Sequence, residues 1–363
     1  MIDLGTVNFG RLAADVKRWG IELGFQQVGI SATELGQDET HLLNWLAAGH
    51  HGEMDYMQRH GTKRSRPDEL QAGTLRVISV RMDYDPPETR DAWEVLEDPS
   101  LGYVSRYALG RDYHKVMRGR LQKLADKIAG EIGPFGYRAF VDSAPVLEKA
   151  LARNAGLGWI GKHTCLINKQ AGSLFFLGEL YTDLPLPTDE AAHDHCGTCT
   201  RCIEICPTQA IIGPQQLDAR RCIAYLTIEL RGSIPVELRP LIGNRIYGCD
   251  DCQLVCPWNK FSKKSVEPDF EARNGLDSAS LVNLFAWDEA EFLSRTEGTA
   301  IRRIGHEMWL RNIAVALGNS PPSAQAISAL QSRLGKYQPL VEEHVRWALD
   351  RMTQAEGARH DVD

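Results

Sequence analysis

The feature that most constrains this chain is a group of eight cysteines between residues 196 and 256. The first run reads Cys196-x2-Cys199-x2-Cys202-x3-Cys206-Pro207. This spacing, including the proline, is the one that holds [4Fe–4S] clusters in bacterial ferredoxins. The second run reads Cys249-x2-Cys252-x3-Cys256-Pro257. It would repeat the first if position 246 were cysteine, but that residue is Ile246.

Cys222, which precedes the second run, is the natural substitute for the missing cysteine. In paired clusters of this type the fourth cysteine of each run ligates the other cluster. The predicted ligand sets are therefore Cys196, Cys199, Cys202 with Cys256, and Cys249, Cys252, Cys222 with Cys206. Zinc sites and disulfides are the alternatives, but two interlocked runs of this spacing favour iron–sulfur. The sequence thus predicts a protein that transfers single electrons.

Length and composition indicate a globular protein of two or three domains. The chain has 363 residues, of which 43% are hydrophobic and 25% charged, as in ordinary soluble proteins. The first twenty residues carry charges throughout, which argues against a signal peptide, and no apolar run approaches membrane-spanning length. Nine cysteines without an export signal predict a reducing, cytoplasmic location and no membrane partner.

Hydrophobic periodicity predicts helices and strands mixed over the first 185 residues, and therefore an α/β or α+β domain at 1–185. The predicted elements are helices at 9–24, 39–59, 114–130 and 145–154, and strands at 27–30, 75–84, 137–141, 165–168 and 173–181. A loose acidic stretch at 183–194 leads into a cluster module at 186–262. Residues 263–363 are Leu- and Ala-rich, with helices predicted at 301–317 and 340–352. Helical repeats and an ordinary helical cap both fit that segment.

Charge is unevenly distributed. The net charge is −7, yet residues 101–164 carry eleven Lys/Arg against five Asp/Glu. A local basic region can bind a polyanion, but it can equally be a solvated helix face. The composition leaves both interpretations open.

Two motifs mislead. Residues 156–161 fit GxGxxG, but a helix precedes them and a strand follows, which is the reverse of a dinucleotide site. Asp112-Tyr113-His114 begins like the cobalt-binding Asp-x-His-x-x-Gly element, but position 117 is Met117. A histidine-ligated cobalt is therefore unsupported, and His114 is interpreted as a partly exposed helix residue.

Asp142 is the strongest candidate for acid chemistry. It ends a predicted strand, where an apolar pocket can raise the pKa of a carboxyl group enough for it to donate a proton. However, Asp or Ser before Ala-Pro is also common at a helix N-terminus, and the residues alone favour that capping role. Cys165 is most simply a buried apolar residue.

In combination, five stretches and the cysteine set resemble the epoxyqueuosine reductases over nearly the whole chain. The stretches are Ser-Arg-Tyr-Ala-Leu-Gly-Arg-Asp-Tyr-His at 105–114, Val-Asp-Ser-Ala-Pro-Val-Leu-Glu-Lys at 141–149, Ala-Gly-Leu-Gly-Trp-Ile-Gly-Lys at 155–162, Gly-Ser-Leu-Phe-Phe-Leu-Gly-Glu at 172–179 and Arg-Ile-Gly-His-Glu-Met-Trp-Leu-Arg-Asn at 303–312. The resemblance implies an α+β protein with a flavin-reductase-like cobalamin-binding domain shared with reductive dehalogenases. A ferredoxin-like two-cluster module and a HEAT-like helical segment that binds tRNA would follow.

The same resemblance implies the reaction. Base-off cobalamin, reduced to cob(I)alamin through two [4Fe–4S] clusters, would convert the epoxide of epoxyqueuosine at the tRNA wobble position to the alkene of queuosine, the last step of queuosine biosynthesis. Asp142 becomes the proton donor rather than a cap. The implied cofactor contacts are Arg66, Ser105, Tyr107, Asp142, Gly158, Gly161, Lys162 and Ser173. The predicted tRNA contacts are Arg111, Lys115, Arg118, Arg220, Arg221, Arg302, Arg303 and Arg311.

An external electron donor and a monomeric state are also expected. Two other classes of function remain open at this point. One is a cobalamin and iron–sulfur reductase of a small molecule such as an organohalide. The other is a non-catalytic iron–sulfur electron carrier.

Overall fold

The computed structural model describes residues 7–360 of the 363-residue chain. Its N-terminal half mixes helices and strands, as the sequence predicts. The elements in chain order are α1 (Phe9–Glu22), β1 (Gln27–Ser31), α2 (Gly36–Ala47), α3 (Tyr56–Arg59), α4 (Pro67–Leu70), β2 (Arg76–Asp83), α5 (Ala92–Glu97), β3 (Tyr103–Val104), α6 (Tyr113–Ile132), β4 (Tyr137–Phe140), α7 (Glu148–Asn154), β5 (Trp159–Ile160), β6 (Leu166–Ile167) and β7 (Phe175–Thr182).

The centre of this half is an antiparallel sheet of order β1-β2-β7-β4. Strand β7 is nearly continuously apolar and every one of its residues is buried. Such a strand needs cover on both faces. Helices α1 and α6 pack on one face, and α7 lies on the other. The buried positions Leu12, Val16 and Trp19 of α1 follow the helical period and face the core.

The helix predicted at 39–59 is interrupted. The chain leaves the helix after α2 and resumes it only at α3. Gly49 and Gly52 lie between the two helices, with positive φ angles of 67° and 59°, a conformation that favours glycine. A Cβ atom on Gly52 would lie 2.5 Å from the hydroxyl of Tyr225. The glycine therefore also permits close approach to the cysteine-containing part of the chain.

Short elements carry the cysteine runs. They are α8 (Arg201–Glu204), β8 (Ile211–Gly213), β9 (Gln216–Leu217), α9 (Ile223–Ile228), α10 (Arg239–Ile242), β10 (Arg245–Tyr247) and α11 (Asp251–Leu254). Strand β10 pairs in parallel with β3. This pairing ties the cysteine-containing part to the N-terminal half.

The C-terminal part is helical, as predicted. Its helices are α12 (Leu281–Ala286), α13 (Glu289–Arg295), α14 (Gly305–Asn319), α15 (Ala324–Gln331) and α16 (Pro339–His360). Helices α14 and α16 pack against each other. Their shared core also contains Val104, Leu109, Ile246 and Tyr247 from earlier parts of the chain. The domain boundaries at 185/186 and 262/263 stay predictions, and the core runs across the second of them.

The mixture of helix and sheet confirms the predicted α+β class in its coarse form. Within the described residues, no helix combines the length and the apolar character needed to cross a membrane.

Candidate active site

A cavity of about 500 Å³ lies where the three parts of the chain meet. The sheet contributes Phe175 to its wall, and Ser173 lies just before that strand. Cys222 and Glu229, at the two ends of α9, and Arg303 from the C-terminal part complete the other side. The cavity therefore brings a predicted cluster ligand to the same space as the predicted acid, Asp142, which also lines it.

Asp142 belongs to a chain of hydrogen bonds that begins on α6. Nε2 of His114 lies 2.5 Å from Oδ1 of Asp142, and Nδ1 of His114 lies 2.6 Å from Oδ1 of Asp112. The hydroxyl of Tyr113 donates to Oδ2 of Asp142. Asp112 also caps α6 by accepting the backbone N–H of His114 at 3.0 Å. The helix start therefore fixes the histidine that faces Asp142.

The electrostatics of this pair differ from the expectation for Asp142. Burial opposes charge on both groups, but their hydrogen bonds outweigh it. The hydrogen bonds to Asp112 and Asp142 raise the pKa of His114 to about 9, and His114 and Tyr113 lower the pKa of Asp142. The prediction of a raised pKa at Asp142 is therefore wrong. At neutral pH the pair holds one proton, and His114 carries it.

The capping alternative for Asp142 is also wrong. Helix α7 begins at Glu148, and Leu147 occupies its N-cap position. Asp142 lies in the loop between β4 and α7, where it accepts hydrogen bonds from side chains of α6.

Sequence reasoning missed two titratable residues near the cavity. His114 was interpreted as a partly exposed helix residue, and Glu148 was not singled out. Burial raises the pKa of Glu148 to about 8, and the nearby charge of Asp142 adds to this effect. The only sequence signal was the position of Glu148, six residues after Asp142 in the stretch at 141–149.

The first predicted ligand set comes together in space. Its four cysteines are Cys196, Cys199, Cys202 and Cys256, and all four line a cavity of about 30 Å³. Burial raises the pKa of Cys202 to about 11, and the other three thiols contribute to this rise. A site with four thiolate donors has the chemistry that an iron–sulfur cluster requires.

The loop 156–162 supports this first site. The indole N–H of Trp159 donates to Sγ of Cys196 at 3.4 Å. Nζ of Lys162 donates to the carbonyl oxygens of Gly197 at 2.7 Å and Cys199 at 3.0 Å. As predicted from the reversed context of the glycine motif, helix α7 precedes this segment and a strand, β6, follows it; β5 lies within the segment and pairs with β6.

The cysteines of the second predicted ligand set also lie near one another. Burial raises the pKa of Cys252, and the neighbouring thiols of Cys165, Cys249 and Cys222 raise it further. Cys206 is near enough to Cys222 to contribute to the raised pKa of that thiol. Cys165, interpreted as a buried apolar residue, lies beside this set and lines the large cavity.

The fold explains why position 246 is not a ligand. Ile246 lies on β10, is fully buried and belongs to the core formed with the C-terminal helices. Its carbonyl oxygen accepts a hydrogen bond from Asn312 at 2.9 Å. The side chain therefore serves packing, and the cysteine at 222 stands near the second set instead.

The predicted cofactor contacts divide into two groups. Tyr107, Ser173 and Asp142 line the large cavity. The structure does not bring the others to its wall. These are Arg66, which pairs with Glu39 and Glu69, Ser105, whose buried hydroxyl donates to Asp250, and Gly158, Gly161 and Lys162 in the loop beside the first cysteine set.

Of the predicted tRNA contacts, Arg303 alone lines the cavity, where it donates to Glu229 at 2.6 Å. The exposed or half-buried members elsewhere are Arg111, Lys115, Arg118, Arg220, Arg221 and Arg302. The prediction that Arg311 contacts tRNA is wrong. It is fully buried and donates to the carbonyl oxygens of Leu226, Leu230 and Gly232. A buried charge satisfied in this way stabilises the fold and cannot contact a polyanion.

Fold and site together place eight cysteines in two groups, one around a small cavity and one beside the large cavity, an arrangement typical of iron–sulfur proteins. Two family models match the chain. Residues 64–143 match the model described as epoxyqueuosine reductase QueG, DUF1730, and residues 195–259 match the 4Fe-4S double cluster binding domain. The second match resolves the choice between zinc, disulfides and iron–sulfur in favour of iron–sulfur.

Close relatives cover almost the whole chain. An epoxyqueuosine reductase from Xanthomonas campestris is 66% identical over 337 residues, which is 93% of this chain and 95% of the relative. The epoxyqueuosine reductase of Escherichia coli is 56% identical over 352 residues, 97% of this chain and 92% of the relative. The chain belongs to the epoxyqueuosine reductase family and is an oxidoreductase.

Solved structures of epoxyqueuosine reductases have a similar fold. A crystal structure of an epoxyqueuosine reductase with an epoxyqueuosine-modified tRNA-Tyr stem loop has a TM-score of 0.86 and 27% identity, covering 95% of this chain and 91% of that one. A Bacillus subtilis epoxyqueuosine reductase, whose catalytic aspartate loop is swung out of the active site, has a TM-score of 0.86 and 26% identity. It covers 95% of this chain and 91% of its own.

Proposed function

We propose that this protein reduces the epoxide of epoxyqueuosine in tRNA to the alkene of queuosine, the last step of queuosine biosynthesis. The observation that carries the proposal is the cavity that unites the His114–Asp142 pair with Cys222. A proton source and an electron source thus meet at one space. The identity of the close relatives, and the modified tRNA in the similar crystal structure, support the choice of substrate.

The cavity fits a cobalamin. Its walls are largely aromatic and aliphatic, which suits the face of a large organic ring. Both ring nitrogens of His114 are occupied by carboxylates, so this histidine would not ligate the cobalt of a bound cobalamin. A base-off cobalamin is the form that the family resemblance implies. When bound, cobalamin supplies the reducing equivalents for the epoxide. Tyr107 and Ser173 are the predicted contacts that line its wall.

The residues of the chain supply the proton. Asp142 contacts the epoxide oxygen and passes to it the proton of the His114 imidazolium, which lies 2.5 Å away. Protonating the oxygen as its C–O bond breaks avoids a free alkoxide, which is general-acid catalysis. Tyr113 and Asp112 hold the two groups in position from α6.

The tRNA must present its wobble nucleotide to the cavity, so cations near the mouth should bind the backbone. Lys115 and Arg118 are exposed on α6, whose first turn carries His114. Among the described side chains neither has a carboxylate within ion-pair distance. Replacing both with glutamine is expected to weaken tRNA binding. The slope of the logarithm of the binding constant against the logarithm of the salt concentration should decrease in magnitude by about 0.7–0.9 for each lost phosphate contact.

Lys123→Gln is the matched control for that measurement. Lys123 is exposed on the same helix. At 1.5 Å per residue it lies about 12 Å beyond Lys115 and about 7.5 Å beyond Arg118, away from the active-site end. Filter binding across a salt series should show an unchanged slope for this variant. Equal slopes for the double variant and the wild type would remove Lys115 and Arg118 from the tRNA surface.

The reaction itself is tested with the anaerobically purified protein. Incubation with reductant, cobalamin and epoxyqueuosine-containing tRNA is expected to give a nucleoside lighter by one oxygen atom in mass spectrometry. The matched reaction without cobalamin should give no product. If the protein holds about eight irons, as two [4Fe–4S] clusters require, and a bound corrin but leaves the mass unchanged, the proposed function is wrong.

Finer features of the molecule also stand as proposals. They are the flavin-reductase-like fold of the first domain, the HEAT-like character of the C-terminal helices, a monomeric state, a cytoplasmic location and an external electron donor. The first cysteine set is the natural entry for that donor, because the second set borders the cavity where electrons are consumed.

A further inference from the structure

We propose that Glu148 delivers the second of the two protons that epoxide reduction consumes. The inference rests on the proposed function and adds a catalytic residue to it.

The chemistry requires two protons. Converting an epoxide to an alkene breaks both C–O bonds, forms the C=C bond and releases the oxygen as water, which takes up two electrons and two protons. The iron–sulfur clusters supply the electrons in the proposed function. The first proton reaches the oxygen as the first C–O bond breaks, and the second as the resulting hydroxyl leaves as water. The His114–Asp142 pair holds one proton at neutral pH, so a second donor is needed.

Besides Asp142, two carboxyl groups line the large cavity, those of Glu148 and Glu229. Glu229 pairs with Arg303, which leaves Glu148 as the candidate for the second donor. Glu148 is the first residue of α7 and lines the same cavity as Asp142 and His114. Its Oε2 atom is buried and has no hydrogen-bond partner among the described residues. The adjacent Lys149 does not pair with it, since Nζ of Lys149 donates to the carbonyl oxygen of Thr164 at 3.1 Å.

The surroundings favour the protonated form of Glu148. Burial raises its pKa to about 8, Asp142 and Cys165 add to the rise, and Lys149 and His114 oppose it. Behind it, on β7 beneath α7, Glu179 is fully buried, and neither of its carboxylate oxygens has a partner among the described residues. An ionised Glu148 would face two further carboxyl groups with little solvent. A neutral acid that can donate is the state that this arrangement selects at pH 7.

The same structure supplies a matched control. Glu179 is a buried acid with a raised pKa, but it does not line the cavity. Glutamine replaces either glutamate with almost no change in shape. A difference between Glu148→Gln and Glu179→Gln therefore separates proton donation into the cavity from the general effect of removing a buried acid.

The test uses holoenzyme containing clusters and cobalamin, with epoxyqueuosine-containing tRNA. Glu148→Gln is expected to lower kcat by about 10²–10⁴-fold, the usual range for a general acid, with iron content and tRNA affinity unchanged. The alkaline limb of the pH–kcat profile should move from near pH 8, the pKa of Glu148, toward pH 9, the pKa of His114. Glu148→Asp should recover part of the rate, and Glu179→Gln should keep the limb near pH 8.

A second measurement does not depend on turnover. The infrared band of protonated carboxyl groups in the protein without substrate should lose intensity in Glu148→Gln and, in the wild type, should titrate near pH 8. If Glu148→Gln keeps the wild-type rate and pH profile, or the band is unchanged, the inference is wrong. If Glu148→Gln does not fold, a Glu148→Asp variant with both the full wild-type rate and the wild-type pH profile would also contradict the inference. A wild-type enzyme that leaves the epoxide intact instead overturns the proposed function.

Discussion

Asp142→Asn is expected to lower kcat by at least about 100-fold, the lower end of the usual effect of a general acid, while cobalamin, iron and tRNA binding persist. Asparagine keeps the shape of the side chain but cannot take a proton from His114 and donate it to the epoxide oxygen. The variant also removes the negative charge that helps to raise the pKa of His114 to about 9. Single-turnover rates, measured with cofactor content and tRNA affinity on the same sample, separate chemistry from assembly.

Asp112→Asn is the matched control for this variant. Asp112 contacts the other ring nitrogen of His114 and caps α6, and asparagine caps a helix about as well as aspartate. The expected result is a smaller loss of rate and an alkaline limit at lower pH, because one of the two groups that raise the pKa of His114 is neutralised. Undiminished turnover of Asp142→Asn would exclude Asp142 as the acid.

Both raised pKa values also bear on stability. His114 and Glu148 bind protons more tightly in the folded protein than in the unfolded chain, whose values are near 6.5 and 4.5. For such groups the free energy of unfolding falls as pH rises from the unfolded to the folded pKa. The contribution of these two residues to the free energy of unfolding therefore declines as the pH rises from about 4.5 to about 9. Their effect makes the protein less stable on the alkaline side of this range.

Patterns of spacing were enough to predict the parts of the molecule that depend on local chemistry. Cysteine spacing predicted an iron–sulfur protein, because each run is recognised within a few residues, and the double-cluster family model agrees. The assignment of the eight cysteines to two ligand sets stays a prediction. The pattern of apolar residues located α1, α6 and the long strands β2 and β7. A helix that buries one face repeats its apolar residues with the helical period, and a fully buried strand is a short apolar run, so both are visible in the local sequence. The helix break at Gly49 and Gly52 was missed, although two glycines, both with positive φ, are a local signal for it.

The site was less predictable, because its properties arise from residues brought together by folding. Asp142, which folding places against His114, adds to the rise that Asp112 causes in the pKa of that histidine, and burial on α7 beside the cavity raises the pKa of Glu148. Arg311 shows the reverse error. Its charge suggested a surface contact, but three backbone carbonyl groups from a distant segment satisfy it in the core. Neither case leaves a periodic signal in the sequence.

Cys222→Ala is expected to destroy the cluster held by the second set and to lower the iron content from about eight to about four per chain, since each [4Fe–4S] cluster holds four irons. Cys222 stands at the N-cap of α9 and is the member of the second set that lines the large cavity. Iron analysis and EPR spectra of the reduced protein give the result directly. Turnover should be lost with the cluster, because the second set borders the cavity that the electrons must reach.

Cys165→Ala is the control for this loss. Cys165 lines the same cavity and lies close to the second set, but it belongs to neither predicted ligand set, so about eight irons should remain. Full iron content in Cys222→Ala, or a loss in Cys165→Ala, would reverse the assignment of these two cysteines.

The ferredoxin-like position offers a stricter test, because a cysteine can be placed there. Adding Ile246→Cys to Cys222→Ala restores the ferredoxin spacing in sequence, yet it is expected not to restore the cluster. Ile246 is fully buried, and its Cδ1 atom lies 2.8 Å from the position that a Cβ atom on Gly102 would take, so the side chain points into the core. A cysteine there would need β10 to rotate away from β3 and from Asn312. Recovery of about eight irons in the double variant would mean that spacing, rather than the direction imposed by β10, determines the fourth ligand.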